Sequence, residues 1–596
     1  MPDEDGGVVD TSTIRGEGGG VIRRSFPWLV ILVSLAVGTA VGGPRLPPAP
    51  PEEPLPAAQR HLRLAREYVA ASCEMLRRHD RHALDGYYAA CQEAWNAVQT
   101  CPGSPEILVA ASDLYADALA GFLEAAARHG RIGDGGVWVG PPGRLVKVPL
   151  EPKALPLPVA AIASLEPQAQ ADDKRISRRH LRDGFGLPVV VRVDSTKLGS
   201  VETAFAFQRQ SLAATAVLRF DMPGHENVLE KFAGPVYRDH AAAVLDLANP
   251  VEIAAVKIGR ARPHLAADLT APLLDTLAGM PASGLEGFIQ PFGRGDTQPR
   301  LEFLEPHQPG RIPVVFIHGL ASDQGTWFDL INELRAWPEF HRRFEPWVYH
   351  YPTGASFLQI SASLRRQLTA AVAGLDPEGR DPALKHLVLV GHSMGGLHAK
   401  MQVVDSGTAI WYSIAQVPFE TVRLGPHMRE LVTRSVFFRP LPFVTRVVYV
   451  ATPHRGSILA SLGVGRLASL AVREPPQMTE AHEQIVRMNP NAFRPEFAKK
   501  VPTTIDLLEP SSPTLEAIDG LRPPCWVTTH SIVGDIHPSL MGGRDDCVVA
   551  VESAHTPGAV SEIFVPAKHT RVHHHPWSVS EIERILRQHL LEVGRP

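Results

Sequence analysis

Apolar positions along this chain keep changing their period, and each change marks a different kind of element. From about Ala57 to His129 they recur at helical spacing, as in "RHLRLAREYVAASCEMLRRH" and "ILVAASDLYADALAGFLEAAARHG", which predicts a helical segment. Pairs of such helices resemble tetratricopeptide-type units, although no repeated signature accompanies them. "RIGDGGVWVGPPGR" then breaks the pattern. From about Leu187 to Phe303 the apolar runs shorten and alternate ("LPVVVRV", "AATAVLRFD", "VEIAAVKI"), which predicts a β-rich segment with one helix near Asp268 to Leu277.

From Ile312 onward the rhythm is strand, turn, helix, repeated. "IPVVFIHG", "PWVYHYP", "HLVLVG", "RVVYVATPHRG", "CWVTTHSIVG" and "SEIFVP" read as six strands. "TWFDLINELRAW", "FLQISASLRRQLTAAVAG" and "PWSVSEIERILRQHLL" read as helices, the second closed by Gly374. Continuous apolar strands alternating with helices imply a parallel sheet covered on both faces, hence an α/β fold. The expected organisation is an N-terminal signal or anchor with a Pro-rich linker over 1–56 and a helical segment over 57–135. A β-rich accessory domain over 136–300 and an α/β catalytic domain over 301–596 follow.

At 44% apolar and 20% charged residues the chain is globular, and a formal net charge of -4 gives no electrostatic reason to expect nucleic acid as a partner. Arg23 and Arg24 precede an apolar run from Pro27 to Gly43, at the short edge of a membrane span and long for a signal-peptide core. The arginines would hold the N-terminus inside, Ala40-Val41-Gly42 could serve as a cleavage site, and "PRLPPAPPEEPLP" reads as a stiff linker. An exported or membrane-anchored protein is expected, with the catalytic domain in the periplasm or cell envelope. Five cysteines are too few for a disulfide scaffold, though Cys525 and Cys547 flank one predicted strand and could pair. No spacing resembles a zinc site, so neither metal nor cofactor is expected.

The chemistry concentrates at "HLVLVGHSMGGLHAK". Gly391-x-Ser393-x-Gly395 lies between a predicted strand and a predicted helix, where a nucleophile elbow belongs. The turn strains the serine backbone, so small residues must stand two before and two after it. A serine needs a base, and the base an orienting acid. Asp535, Asp545 and Asp546 follow the fifth strand, while His569, His573, His574 and His575 follow the sixth. The run of three histidines before a helix reads as solvated or capping residues.

Four stretches carry a family resemblance: "VVFIHGLASD", "LVGHSMGGLHAK", "VVYVATPHRGS" and "DDCVVAVESAH", with "VPAKHT" downstream. From about Pro313 onward the chain resembles an α/β hydrolase of the lipase type, and most of all the GPI inositol-deacylase-like branch. The resemblance implies an acid in an Asp-Gly-Val-Val loop and a base after the last strand, which selects Asp546 and His569 as partners of Ser393. Cys547 stands where that family has glycine. It also implies an oxyanion hole from the backbone N–H groups of Leu320 and Met394, with His318 a structural loop residue. Fold and reaction type carry over; the GPI substrate does not, because relatives named for it have many membrane spans.

Two insertions, Val403 to Pro442 and Leu459 to about Pro523, stand where this fold carries its lid. Their Trp411, Tyr412, Phe419, Phe437 and Phe438 could line an acyl pocket or pack onto the sheet. The expected activity is cleavage of carboxylic or lipid esters by a Ser-Asp-His triad, with an ester or lipid small molecule as substrate and the membrane met through the N-terminal segment. Acyl transfer and amide hydrolysis would use the same triad. The alternative from another class is a non-catalytic scaffold whose helical segment binds a partner.

Overall fold

The computed structural model describes residues 56–133, 135–141, 143–167, 172–220, 243–280, 298–457, 476–499, 504–536 and 543–594. The apolar run from Pro27 to Gly43, its flanking arginines and the Pro-rich linker lie outside the described residues. Among the described residues no helix is long and apolar enough to cross a membrane.

Helices α1 (Ala57–Arg77), α2 (Ala83–Thr100) and α3 (Pro105–Arg128) form where helical periodicity predicted them. Ser104 caps α3 by accepting the Ile107 N–H at 3.3 Å, and Pro105 takes the first helical position, where its missing N–H costs nothing. These helices are not a separate body. Trp95 and Tyr115 are fully buried and pack against Phe185, and Tyr115 donates its hydroxyl to the Leu218 carbonyl at 2.7 Å. One hydrophobic core therefore runs from the helices into the β-rich segment.

That segment folds as a seven-stranded sheet and a short two-stranded ladder. Its strands are β1 (Ile132–Gly133), β2 (Gly136–Val139), β3 (Val146–Lys153), β4 (Ile162–Pro167), β5 (Leu181–Arg182), β6 (Leu187–Val193), β7 (Ser211–Arg219), β8 (Val244–Ala248) and β9 (Ala267–Asp268). The large sheet runs β1-β2-β3-β8-β7-β6-β4, and only β3 and β8 pair in parallel among the described residues. The helix expected near Asp268 spans Ala271–Ala278.

The second half carries β10 (Arg300–Phe303), β11 (Ile312–Ile317), β12 (Phe344–His350), β13 (Leu387–His392), β14 (Val444–Val450), β15 (Thr528–Gly534) and β16 (Ser561–Val565). They form one sheet in the order β10-β12-β11-β13-β14-β15-β16. It is a mostly parallel sheet of an α/β fold, with one departure from the sequence expectation. Six strands are parallel as predicted, but β10 adds to β12 antiparallel at the edge. "RLEF" is too short and too alternating to be read as a buried parallel strand, since an edge strand pairs on one side only. Because β10 begins at Arg300, the division expected between residues 300 and 301 falls inside a strand.

Alternate side chains of β11 enter different cores: Val315 and Ile317 join one face, Ile312, Val314 and Phe316 the other. The insertions supply much of the first face. Trp411 is buried beside Phe419 at 5.0 Å and donates its indole N–H to the Val417 carbonyl at 2.7 Å, and Phe438 is buried as well. These two are core contacts; Tyr412 is exposed, and residues 459–475 and 500–503 of the second insertion lie outside the described residues. The five cysteines are free thiols, so the Cys525–Cys547 pairing does not form. Cys525 precedes β15 and Cys547 follows it, so a strand roughly 20 Å long separates positions whose Cα atoms a disulfide would hold within about 7 Å.

Candidate active site

Four loops leave the C-terminal ends of β11, β13, β15 and β16, and these loops hold the serine, acid, histidine and backbone-donor candidates singled out from the sequence. The tightest is the turn after β13. Ser393 adopts φ 55° and ψ −127°, a conformation that L side chains rarely take. A Cβ on Gly391 would lie 2.5 Å from the Gly395 carbonyl oxygen, and one on Gly395 would lie 2.2 Å from the Ile317 oxygen. The two glycines therefore allow the serine its strained corner, and the Ser393 N–H is anchored on the Val450 carbonyl at 2.8 Å.

Ser393 Oγ lies 2.9 Å from His569 Nε2, and His569 Nδ1 lies 2.7 Å from Asp546 Oδ2. A carboxylate accepts, so Nδ1 carries the hydrogen and Nε2 offers its lone pair to the serine hydroxyl. Asp546 is buried, and its Oδ1 accepts the N–H groups of Val548 and Val549 at 3.0 and 2.7 Å. The His569 N–H also donates to the Asp546 carbonyl at 2.9 Å, so acid and base loops are tied through backbone as well as side chain. Val549, Val551 and Ala554 pack with Val533 of β15, which anchors the acid loop on the sheet. Cys547 takes φ 77°, the left-handed conformation that suits glycine.

Asp535 and Asp545 are occupied elsewhere. Asp535 is paired with Arg544, whose Nε lies 3.0 Å away, and Asp545 is buried and accepts the Cys547 N–H at 2.8 Å. The loop after β11 comes close to the elbow: a Cβ on Gly319 would lie 2.9 Å from the Ser393 Cβ. This brings the loop that carries Leu320 beside the elbow. His318 is buried, stacked on Tyr351 at 4.2 Å, and takes the Tyr351 N–H on its Nε2 at 3.3 Å. Burial lowers its pKa to about 3, so it stays neutral.

The three consecutive histidines divide. His575 caps the C-terminal helix Pro576–Glu592 by accepting the Trp577 N–H at 3.2 Å. His573 is not solvated as expected: it is 4% exposed and lies 4.6 Å from the His392 ring and 5.6 Å from Trp327. Burial, then the neighbouring His574, pushes its pKa down to about 3. His392, the residue before the serine, donates Nε2–H to the His569 carbonyl at 3.0 Å, and burial keeps it neutral too. Sequence reasoning passed over His392 and Trp327, and took His573 for a solvated or capping residue. Local pattern marks the first only as the variable position of the elbow and the second as a helix-start aromatic. Their convergence on the base loop is a tertiary fact.

No family model and no curated protein matches the chain. Solved structures similar to it include lipase BlEst2 of Bacillus licheniformis in mature form, at 16% identity over 49% of this chain and 99% of that one, with a TM-score of 0.29. A carboxylesterase of the thaumarchaeon Nitrososphaera gargenis aligns at 14% identity over 51% and 98%, TM-score 0.26. Lipase 1 of Pelosinus fermentans aligns at 12% identity over 47% and 98%, TM-score 0.27. These neighbours are esterases and lipases that span about half of this chain; the fold itself is read from the strand order and the elbow.

Proposed function

We propose that the chain is a serine hydrolase that cleaves carboxylic or lipid esters through an acyl-enzyme, with Ser393, His569 and Asp546 as its triad. The observation that carries this reading is the hydrogen-bonded line from Asp546 through His569 to a strained serine at the end of a parallel sheet. In it, Ser393 Oγ attacks the ester carbonyl carbon and its proton passes to His569 Nε2. The tetrahedral oxyanion is held by the N–H groups of Leu320 and Met394, an arrangement that supplies about 3 kcal/mol per donor in comparable sites. The carbon–oxygen bond to the leaving group breaks, and His569 gives the proton to the departing alcohol. Water then attacks the acyl-serine, losing its proton to His569, which returns it to Ser393 as the carboxylic acid leaves. Asp546 fixes the imidazole tautomer and stabilises the imidazolium in both halves.

The test is labelling with a fluorophosphonate, followed by hydrolysis of p-nitrophenyl esters of increasing chain length with phospholipids alongside. Wild type should label and turn over, whereas Ser393→Ala should do neither while keeping its circular dichroism. Turnover by Ser393→Ala within tenfold of wild type sinks the assignment, because loss of a triad member costs several orders of magnitude. The site is proposed to work outside the cytoplasm, on the strength of Arg23, Arg24 and the apolar run that follows. An alkaline phosphatase fusion after residue 60 should be active; an inactive fusion rejects export.

A further inference from the structure

The resemblance stops near Pro313, yet the N-terminal half reaches the site through one helix. Phe328–Arg335 follows the loop that carries Leu320, and its residues face two ways. On one flank, Asp329 Oδ1 accepts both the N–H and the hydroxyl of Ser177, at 2.8 and 2.9 Å. Asn332, almost fully buried, accepts the Thr270 hydroxyl at 2.8 Å and donates to the Arg178 carbonyl at 2.8 Å. Glu333 takes Arg178 at 2.7 Å and His180 at 2.9 Å. Ser177, Arg178, His180 and Thr270 all belong to the N-terminal half.

On the other flank the helix packs against the turn His569–His574. Trp327, fully buried at the head of the helix, lies edge-on to His573 at 5.6 Å and to His392 at 6.3 Å. His392 in turn holds the carbonyl of His569. A buried helix fastened on one side by six directed hydrogen bonds cannot shift without loosening what it touches on the other.

We infer that the N-terminal half is a working part of the catalytic centre: Ser177, Arg178, His180 and Thr270 clamp the helix Phe328–Arg335, which braces the turn bearing His569 and the loop bearing Leu320. Asp329 and Asn332 are positioning residues on this view, since neither touches the reacting atoms. The inference rests on the triad reading for its effect on rate, but its structural content can be measured separately.

The experiment uses the full chain with the double variant Asp329→Ala, Asn332→Ala, and reads two things. Hydrogen exchange by mass spectrometry should rise severalfold in peptides covering 318–327 and 566–575, while the β13–β14 centre of the sheet keeps its protection. The rate of fluorophosphonate inactivation should fall by about tenfold or more with little change in reagent affinity, because small misplacements of positioned groups are costly. Asp329→Asn keeps an oxygen for both Ser177 donors and should behave like wild type. Glu252→Ala, which removes an exposed contact of the N-terminal half with Arg342 away from this helix, should also be silent. Unchanged exchange in both peptides overturns the inference, as does a loss of protection that spreads evenly over the whole sheet. If wild type fails to label at all, the hydrolase reading fails, while the exchange result still decides whether the clamp exists.

Discussion

The two halves of the molecule each build a seven-stranded sheet, and they differ in what the sheet does with its loops. In the N-terminal sheet nearly every neighbour is antiparallel, so successive loops leave from opposite edges and scatter chemistry-bearing residues. In the C-terminal sheet the strands from β12 to β16 run parallel, so every strand ends on the same side. The loops after β11, β13, β15 and β16 therefore meet, and Ser393, Asp546 and His569 come together from segments far apart in sequence. Polar burial in the first half serves packing; in the second the same devices are gathered at one edge. Strand direction, more than composition, separates the two.

The largest effect that would sharpen this contrast comes from matched carboxylates. Asp546→Asn should cut ester turnover by about 10³–10⁴-fold with little change in KM, since the amide holds the wrong imidazole tautomer. Asp246→Asn, which disturbs the Arg219 pair in the first sheet, should cost about 1–3 kcal/mol of stability and leave turnover near wild type. If instead Asp535→Asn abolishes turnover and Asp546→Asn does not, the acid is misassigned.

Matched glycines come next. Gly395→Ala places a Cβ 2.2 Å from the Ile317 oxygen, so backbone must move; a melting temperature well below wild type and a drop in activity are expected. Gly103, between α2 and α3, has nothing within 4 Å of the same atom, and Gly103→Ala should melt like wild type. Equal behaviour of the two variants would break the idea that the elbow has no room for a side chain at Gly395.

Acid should act on the second half first. Burial lowers the pKa of His318, His398, His530, His573 and His589 to about 3 and of His341 to about 4, from an ordinary 6.5, and all six lie beyond residue 300. Below pH 6.5 the unfolded chain binds protons that these imidazoles refuse, so their contribution to stability is full above that value and falls as pH drops toward 4. Together they outweigh the opposite shift of Glu302, whose carboxyl pKa burial raises to about 7. Each site contributes roughly 1.4 kcal/mol per pH unit. Pulse exchange at fixed pH after urea incubation at pH 7 or 5 should show β11–β16 peptides opening at lower urea in the acidic samples, with β6–β8 shifting less. A larger shift in β6–β8 would contradict it.

The smallest expected effect separates strain from function. Cys547 and Ala154 both hold positive φ, 77° and 55°, one in the acid loop and one after β3. Cys547→Gly and Ala154→Gly should each raise stability by about 1 kcal/mol in a urea melt, without changing turnover. A fall in turnover for Cys547→Gly would give that side chain a role in the acid loop.

Much of the second half was legible as sequence because its signals are local. A run such as "VLVGHSMGG" carries its own reason for being strand, corner and helix: apolar residues for a doubly buried strand, then glycines where side chains cannot fit. Order along the chain narrowed the acid and base to a few residues, and only the resemblance chose among them. Alternation in the first half likewise predicted strands, since period two needs no partner to be visible. What local pattern could not carry was pairing. Whether "RLEF" joins the second sheet depends on β12, some forty residues later, and whether the histidines before the last helix meet solvent depends on Trp327 and His392. The division of the N-terminal half into a helical and a β-rich part was read from period, yet Trp95 and Tyr115 join both parts in one core because burial ignores period. The sequence by itself determined which elements form and where a nucleophile could stand, because sterics and periodicity act over a few residues. Tertiary structure alone decided what those elements meet, including the clamp of one half on the other, because contacts between distant segments are set by packing of whole surfaces.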